Sequence, residues 1–303
     1  MTNDPIIISI GGGKGGIGKS TITSNVGTAL LQKNYNVGFI DADLGGANLH
    51  HCLGIQRPSK GLRDYLTGKI KELNDIAIPT PMGNSWLISG ASDIVELANP
   101  RFSQKKKIIR NLSKMNADYI LVDLGAGTGT NVTDFFAAFP YGIVVTDGSA
   151  ASIENAYGFL KNGIIRGLVR LFPGNKEVQK FIHRSSTSTE GESYATIKEM
   201  ISAATLRFPA ETRLMKEYLH SKRIFLILNM VRDSSDVARG RRFIEIVKKY
   251  LSLKMLYIGY IVYSKDVNTS FREMRPIMQG TNAKEIRNAF TSITTNLIAL
   301  TQG

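Results

Sequence analysis

The sequence predicts an α/β fold, a single doubly wound, mainly parallel sheet flanked by helices, and three observations support this. Short apolar runs of strand length alternate with longer segments whose apolar residues recur at helical spacing. Several of these runs end at an aspartate or asparagine, and parallel α/β sheets bind ligands at the carboxyl ends of their strands. A glycine-rich turn connects the first run to the first helical segment. We therefore expect residues 1–303 to form one domain.

The first element is a strand, predicted by the apolar run at 5–10, which leads into the turn Gly11–Ser20 (GGGKGGIGKS) and a helix at 21–31. Glycines allow the backbone to turn its N–H groups inward as an anion nest at a helix N-terminus. Lys19 would then reach the β- and γ-phosphates of a nucleotide, and the Ser20 hydroxyl would bind Mg²⁺. The alternative is a turn without a ligand, and the presence of glycine, lysine and serine in register argues against it. The residues expected to bind the nucleotide here are Gly13, Lys14, Gly15, Gly16, Ile17, Gly18, Lys19, Ser20 and Thr21.

The turn contains a second lysine, Lys14, and its pattern KGGxGK[ST] resembles the deviant Walker A loop of the MinD/ParA family of ATPases. That family is related to the nitrogenase iron protein and the arsenical pump ATPase. The resemblance implies a P-loop NTPase fold of the SIMIBI type, with ATP and Mg²⁺ as cofactors and a homodimer in the ATP state. It also implies that Lys14 contacts the phosphates held by the partner subunit. A cation supplied in this way would neutralise charge that develops on the γ-phosphate.

The second predicted strand, at 37–40, runs directly into Asp41-Ala42-Asp43. Carboxylates at this end of a strand should face the phosphates, where they can hold a metal-bound water or orient the attacking water. The alternative is that both aspartates merely cap a helix start. The resemblance identifies the segment as switch I: Asp43 is the water-positioning residue and Asp41 an outer-shell metal ligand, while Asn48 lies near the dimer face. Together with Lys14 and Lys19, Asp43 is our expected catalytic set.

A third motif is the run at 118–123, in which four apolar residues end at Asp123. A buried parallel strand that delivers one carboxylate is what a Walker B strand requires, so Ser20, Asp41 and Asp123 are the expected metal ligands. The next residues are Leu124-Gly125, where close relatives of MinD usually have a proline. This variant is similar to that of the FlhG-like group, the flagellar-number ATPases.

The remaining elements follow in chain order. We expect strands at 85–90 and 142–146, a helix at 100–115 whose run Lys105–Lys107 forms a solvated face, and a helix at 151–171. A basic helical insertion follows at about 172–222, and its segment 185–193, rich in Ser, Thr and Glu, predicts a loop. The strand at 223–229 ends at Asn229, which either caps the next helix or, as the resemblance implies, hydrogen-bonds the adenine ring.

A helix at 236–251 and a strand at 255–262 precede a C-terminal helix at about 283–300. The polar face of that last helix is mostly Ser, Thr and Asn, whereas a helix that lies on a membrane carries a basic face. We therefore expect it to pack on the domain. Its apolar stripe consists of Ile286, Phe290, Ile293, Leu297 and Leu300.

The amino-acid composition limits which metal sites, membrane segments and partners the protein can have. The single cysteine, Cys52, excludes an intramolecular disulfide and the paired thiolates of the iron protein and of Mrp-type cluster carriers. We also expect no metal site at His50-His51-Cys52, because adjacent side chains do not converge on one ion. No apolar run approaches the ~18 residues of a membrane span, and the first strand leaves no room for a signal peptide, so we expect a cytoplasmic protein, peripheral at most at the inner membrane face or cell pole. The net charge of +13, concentrated between Lys161 and Tyr250, indicates an anionic partner.

Three functions remain open at this stage. The first is a slow, dimer-dependent ATPase of the MinD/FlhG type that controls the localisation or number of a cellular structure, with a membrane surface and a protein activator or cargo as partners. The second is a ParA-like partition or positioning ATPase that binds non-specific DNA through its basic half. The third is an amidating enzyme of the cobyrinic-acid synthase type. The sequence lacks the basic, glutamine-containing N-terminal extension of FlhG, which argues against a strictly flagellar role.

Overall fold

The computed structural model describes residues 4–90, 100, 102–186 and 194–302. The first half of the chain contains β1 (Ile6–Gly11), α1 (Lys19–Leu31), β2 (Val37–Asp41), α2 (Leu49–Cys52), α3 (Leu62–Leu66), β3 (Ile78–Pro79), β4 (Ser85–Ile88), α4 (Phe102–Leu112), β5 (Tyr119–Asp123), α5 (Thr130–Ala138) and β6 (Tyr141–Thr146). The second half contains α6 (Ala150–Arg170), α7 (Lys176–Ser186), α8 (Ile197–Arg207), α9 (Pro209–Ser221), β7 (Arg223–Val231), α10 (Ser234–Leu251), β8 (Met255–Val262), α11 (Lys265–Arg272) and α12 (Lys284–Gln302).

The strands form one eight-stranded sheet in the order β3-β4-β2-β5-β1-β6-β7-β8. Every pair is parallel except β3 with β4. The predicted fold class is therefore confirmed, and the short antiparallel strand β3 is an addition that the sequence did not predict. Because β5 lies between β1 and β2, the carboxyl ends of these three strands are neighbours. Asp123 pairs with Ile10 on one side and with Asp41 on the other.

The sheet is buried on both faces, which explains why its strands are nearly continuous apolar runs. On one face α1 and α12 pack over side chains that include Phe39 and Leu121. On the other face α5, α6 and α10 pack over residues such as Ile120 and Leu228. The central strands β1, β2 and β5 are thus covered on both faces, and the glycine-rich turn follows the carboxyl end of β1.

The C-terminal helix packs on the domain as expected, against β8 and α1. Ile286, Phe290, Ile293 and Leu297 are buried, but Leu300 is 38% exposed and does not belong to the buried stripe. Among the residues that the structure describes, no helix combines the length and apolar character needed to cross a bilayer. Within the predicted insertion at 172–222 the structure has α7, α8 and α9, whereas most of the loop predicted at 185–193 lies outside the described residues.

The predicted solvated run Lys105–Lys107 is wrong at its first residue. Lys105 is only 3% exposed, and its amine lies 2.6 Å from the buried carboxylate of Asp134 on α5. Arg166 and Arg170 of α6 reach the same carboxylate, at 2.6 and 2.5 Å. Burial opposes ionisation of Asp134, but these three cations outweigh it and lower the pKa of the carboxyl group below its usual value. Helical spacing could not reveal this, because Asp134 is distant in sequence.

A second buried cation closes the C-terminal end of α5. Lys222 is 2% exposed, and its amine donates to the carbonyls of Phe136, Ala137 and Phe139 at 3.2, 2.9 and 2.5 Å. Burial lowers the pKa of Lys222 to about 7, while the carbonyl dipoles at this helix end favour its charged form.

Lys222→Met should therefore destabilise the protein, because three buried carbonyls would lose their donor. We expect the free energy of unfolding to fall by about 1–3 kcal/mol. Urea denaturation of this variant beside Lys216→Met, an exposed lysine of α9, measures the effect. Equal midpoints for the two variants would mean that water replaces the amine without cost.

Candidate functional site

The glycine-rich turn between β1 and α1 has a backbone that only glycine tolerates at its critical positions. Gly13 and Gly18 have positive φ angles of 74° and 83°. A Cβ atom on Gly13 would lie 2.2 Å from the carbonyl oxygen of Asn155, and one on Gly18 would lie 2.3 Å from Nδ2 of Asn229. The turn therefore presents bare backbone at the N-terminus of α1, the arrangement that binds phosphate groups. Gly15 and Gly16 are exposed, Ile17 is buried beneath the turn, and Thr21 is half-buried on α1.

Lys19 begins α1 and is 9% exposed. Its amine donates to the carbonyl oxygen of Lys14 at 3.3 Å, so the side chain lies along the turn. Burial lowers the pKa of Lys19, and the carboxylates of Asp123 and Asp43 oppose that shift. The Lys19 amine is thus held close to the carboxylates of both Asp123 and Asp43.

Ser20 and Asp123 are in direct contact, although they are separated by about a third of the chain. The Ser20 hydroxyl donates to Oδ2 of Asp123 at 2.5 Å, and the Thr23 hydroxyl donates to Oδ1 at 3.3 Å. Asp123 is 3% exposed, and burial raises its pKa to about 6, against the opposing effects of the Ser20 hydrogen bond and Lys19. Thr23 was not among the predicted residues. Its position one helical turn after Lys19 and Ser20 is the signal that could have identified it.

Asp41 is completely buried beside Asp123, as its place at the end of the neighbouring strand requires. It accepts hydrogen bonds from the backbone N–H groups of Asp43 and Leu49, at 3.1 and 3.0 Å. Burial raises the pKa of Asp41 well above its usual value, and repulsion from Asp123 adds to the shift. Asp41 therefore also organises the switch I segment, residues 41–49, through the backbone.

Asp43 lies half-buried on the switch I segment and faces the loop that follows β5. A Cβ atom on Gly125 would lie 3.1 Å from the Asp43 carboxyl carbon, so glycine permits this close approach. The same loop is joined to the glycine-rich turn by a hydrogen bond of 3.0 Å from the N–H of Gly127 to the carbonyl of Gly13. Three sequence motifs thus meet at one end of the sheet.

The donor set suits Mg²⁺, which prefers hard oxygen ligands. This end of the sheet holds the Ser20 hydroxyl and the buried carboxylates of Asp41 and Asp123. The two carboxylates repel each other, and Lys19 is the cation beside Asp123. Within the described ranges no group of three or more His, Cys, Asp or Glu side chains could hold a metal ion by itself. Ser20, Asp41 and Asp123 offer the kind of oxygen ligand that a bound Mg²⁺ would need.

Asn229 contacts the turn rather than the next helix. Its side-chain amide is 4% exposed and donates to the carbonyl oxygen of Ile17 at 2.8 Å. The helix α10 is capped instead by Asp233, whose carboxylate accepts from the N–H groups of Ser235 and Asp236. The capping alternative for Asn229 is therefore wrong, and its contact brings the end of β7 to the phosphate loop.

The side chain of Lys14 is exposed at the outer surface of the turn. Its charge helps to lower the pKa of Asp147, which follows β6 and which the sequence analysis did not identify. Asn48 is also exposed and donates to the carbonyl of Gly46 at 2.8 Å. Both side chains thus lie where a second molecule could reach them.

The adjacent histidines pack on each other, with the ring centroids of His50 and His51 4.0 Å apart. Cys52 is buried, and burial, together with the charges of Asp123 and Asp41, raises the pKa of its thiol to about 12. The thiol is therefore protonated at neutral pH.

Comparison with known proteins relates half of the chain to one family. A family model of ParA, described as NUBPL iron-transfer P-loop NTPase, matches residues 5–157. Antiactivator FleN of Pseudomonas aeruginosa is 32% identical over 157 residues, which cover 51% of this chain and 55% of that protein. The flagellum site-determining protein YlxH of Helicobacter pylori is 35% identical over 164 residues, covering 51% of this chain and 52% of that protein. The matched region thus spans about half the length of these curated relatives.

A solved structure extends the likeness in fold to nearly the whole chain. The septum site-determining protein MinD of Pyrococcus horikoshii, complexed with Mg-ADP, matches with a TM-score of 0.64 at 19% identity. The match covers 97% of this chain and 96% of that one. At this identity the likeness concerns the fold alone, and it includes the C-terminal half, which the family model does not reach.

Proposed function

The chain belongs to the ParA family of P-loop NTPases, and we propose that it is an ATPase of the MinD/FlhG type. In this proposal ATP and Mg²⁺ bind at the glycine-rich turn, and two copies of the chain close on two nucleotides. Slow hydrolysis then separates them. The dimer would act at the cytoplasmic membrane face or the cell pole, where it controls the localisation or number of a cellular structure through a protein activator or cargo.

The observation that carries the proposal is the meeting of Ser20, Asp123 and Asp43 beside the turn. Backbone N–H groups of residues 13–21 and the Lys19 amine would bind the phosphates. Ser20 and Asp123, with Asp41 behind them, would hold Mg²⁺, which neutralises phosphate charge when bound. Asp43 would orient the attacking water, and Asn229, already attached to the turn, would lie next to the adenine. Lys14, which is exposed, would contact the nucleotide of the other subunit.

The names of the relatives support a role in placing cellular structures. FleN is an antiactivator, YlxH determines a flagellum site and the MinD proteins determine a septum site. Each of the three matches covers about half of this chain. A slow ATPase suits such a task, because ATP assembles the active form and hydrolysis disassembles it.

A ParA-like role on DNA is the second candidate, and the surface of α10 favours it. Arg241, Arg242, Lys248 and Lys249 are all exposed on this one helix. Such a face binds the phosphate backbone without reading its sequence, and its affinity falls steeply as salt is raised.

One experiment separates the two roles. Asp43→Ala should block hydrolysis and hold the ATP-bound dimer, which is then sedimented with phosphatidylglycerol vesicles and, separately, mixed with non-specific duplex DNA. We expect ATP-dependent pelleting with the vesicles and no shift of the DNA. A salt-sensitive DNA shift without vesicle binding would favour the ParA-like role, and binding to neither would favour a protein cargo or a small-molecule substrate. ADP-loaded protein is the control for both assays.

A further inference from the structure

A cavity of about 860 Å³ lies beside the nucleotide site and is used by none of the chemistry above. Ala47, near the end of the switch I segment, and His50, just after it, form one part of its wall. The rest comes from residues between Gln56 and Lys69, which include the start of α3. Its size is that of an ordinary ligand site.

The lining is strongly basic. It contains Arg57, Lys60, Arg63 and Lys69 but one acid, Asp64. That carboxylate is already occupied: it accepts from the Lys69 amine at 3.0 Å and from the Gly61 N–H at 3.1 Å, and these contacts help to lower its pKa. In the part of the chain that the structure describes, Arg57 and Lys60 form no ion pair or side-chain hydrogen bond. The cavity therefore has a surplus of positive charge.

This charge does not depend on the histidine in the wall. His50 is 7% exposed, and burial together with His51 lowers its pKa, so the ring is neutral at neutral pH. Its Nδ1 atom has no hydrogen-bond partner among the described residues. The positive charge of the lining belongs to its arginine and lysine side chains.

The distribution of donors indicates which anion fits. The phosphate loop gathers backbone N–H groups at one point, whereas here the donors are long side chains spread from Arg57 to Lys69. Such a surface matches several carboxylates along an extended chain better than one compact phosphate, and guanidinium groups pair well with carboxylates. We propose that this cavity binds an acidic segment of a partner protein.

An occupant would also contact the segment that holds the catalytic site. Leu49 lies between the wall residues Ala47 and His50, and its N–H donates to Asp41 at 3.0 Å. Asp43 lies on the same switch I segment. A bound segment that fixes Ala47 and His50 would order Asp43. If the proposed ATPase function holds, turnover should therefore rise when the cavity is filled.

The test measures fluorescence anisotropy of a fluorescein-labelled poly-glutamate peptide, with the protein saturated with Mg-ATP so that the phosphate loop is blocked. A serine–glycine peptide of equal length is the control for the probe. Arg57→Glu/Lys60→Glu should weaken poly-glutamate binding about tenfold or more. Lys248→Glu/Lys249→Glu makes the same change of charge on the exposed face of α10 and should leave the affinity within about twofold. Fluorescent ATP binding by both variants verifies that they are folded.

An equal loss in the two variants would overturn the proposal, because it would show that net charge alone attracts the peptide. No binding by the wild-type protein would overturn it as well. Binding to phosphatidylglycerol vesicles and to duplex DNA is measured in parallel. If Arg57→Glu/Lys60→Glu abolished binding to one of these ligands but not to the peptide, the cavity would be assigned to that ligand and the proposal would be wrong. Anisotropy reports peptide binding whether or not ATP is hydrolysed, so a failure of the ATPase proposal would appear separately, as absent turnover with intact peptide binding.

Discussion

Two inactive variants, Lys14→Ala and Asp43→Ala, should recover ATP hydrolysis when they are mixed. Each alone should lose about 10³-fold or more in turnover, because a cation supplied across an interface is worth that much in phosphoryl transfer and water positioning is equally necessary. In a mixed dimer, the nucleotide bound to the Lys14→Ala subunit is next to the intact Asp43 of that subunit. The other subunit, which carries Asp43→Ala, supplies an intact Lys14. That site is complete, and random mixing should restore about a quarter of wild-type activity.

The control for this experiment is a mixture of Lys19→Ala with Asp43→Ala. Lys19 lies along its own turn and Asp43 faces the loop beside it, so we expect both to act on the nucleotide of their own subunit. Every site in that mixture lacks one of them, and phosphate release should stay at background. Recovery in the control mixture, or none with Lys14→Ala, would contradict an exchange of lysines between subunits.

Asp123→Asn should have two opposite effects: loss of Mg²⁺-dependent turnover by about 10²-fold or more, and a gain in stability of the metal-free protein. The gain follows from the pKa of about 6 that burial gives Asp123, above its ordinary value of 3.8. Between these two values the folded protein keeps a proton that the unfolded chain releases. The free energy of unfolding of the wild type must therefore fall as pH rises through this window.

The asparagine variant has no such proton to lose. With EDTA present, we expect it to be more stable than the wild type by about 1–3 kcal/mol at pH 7.5, and the difference should shrink towards pH 4. Urea denaturation at both pH values measures this, and Ser20 and Thr23 can still hydrogen-bond the amide that replaces the carboxylate. A variant less stable than the wild type at pH 7.5 would show that the Ser20 contact outweighs the cost of the buried charge.

Much of this site could be predicted from the sequence, because each of its motifs is a short continuous stretch of the chain. The phosphate loop is a continuous stretch, and Asp41 and Asp123 each end an apolar run. Once the sheet is parallel, carboxyl ends share one edge, so the meeting of these residues needs only the strand order. The roles of Lys14, Asp43 and Asn229 remain predictions, and the mixed-dimer experiment addresses those of Lys14 and Asp43.

The sequence alone determined the sheet, the phosphate loop and the two aspartates beside it, because strand periodicity and glycine geometry act over a few neighbouring residues. Tertiary structure decided the rest. Lys105 is buried because Asp134 lies opposite it, Asn229 contacts Ile17 rather than its own helix, and the basic cavity forms where α3 folds beside switch I. For Lys105 and Asn229 the partner is distant in the chain. In all three cases the periodicity of a segment carries no record of what packs against it.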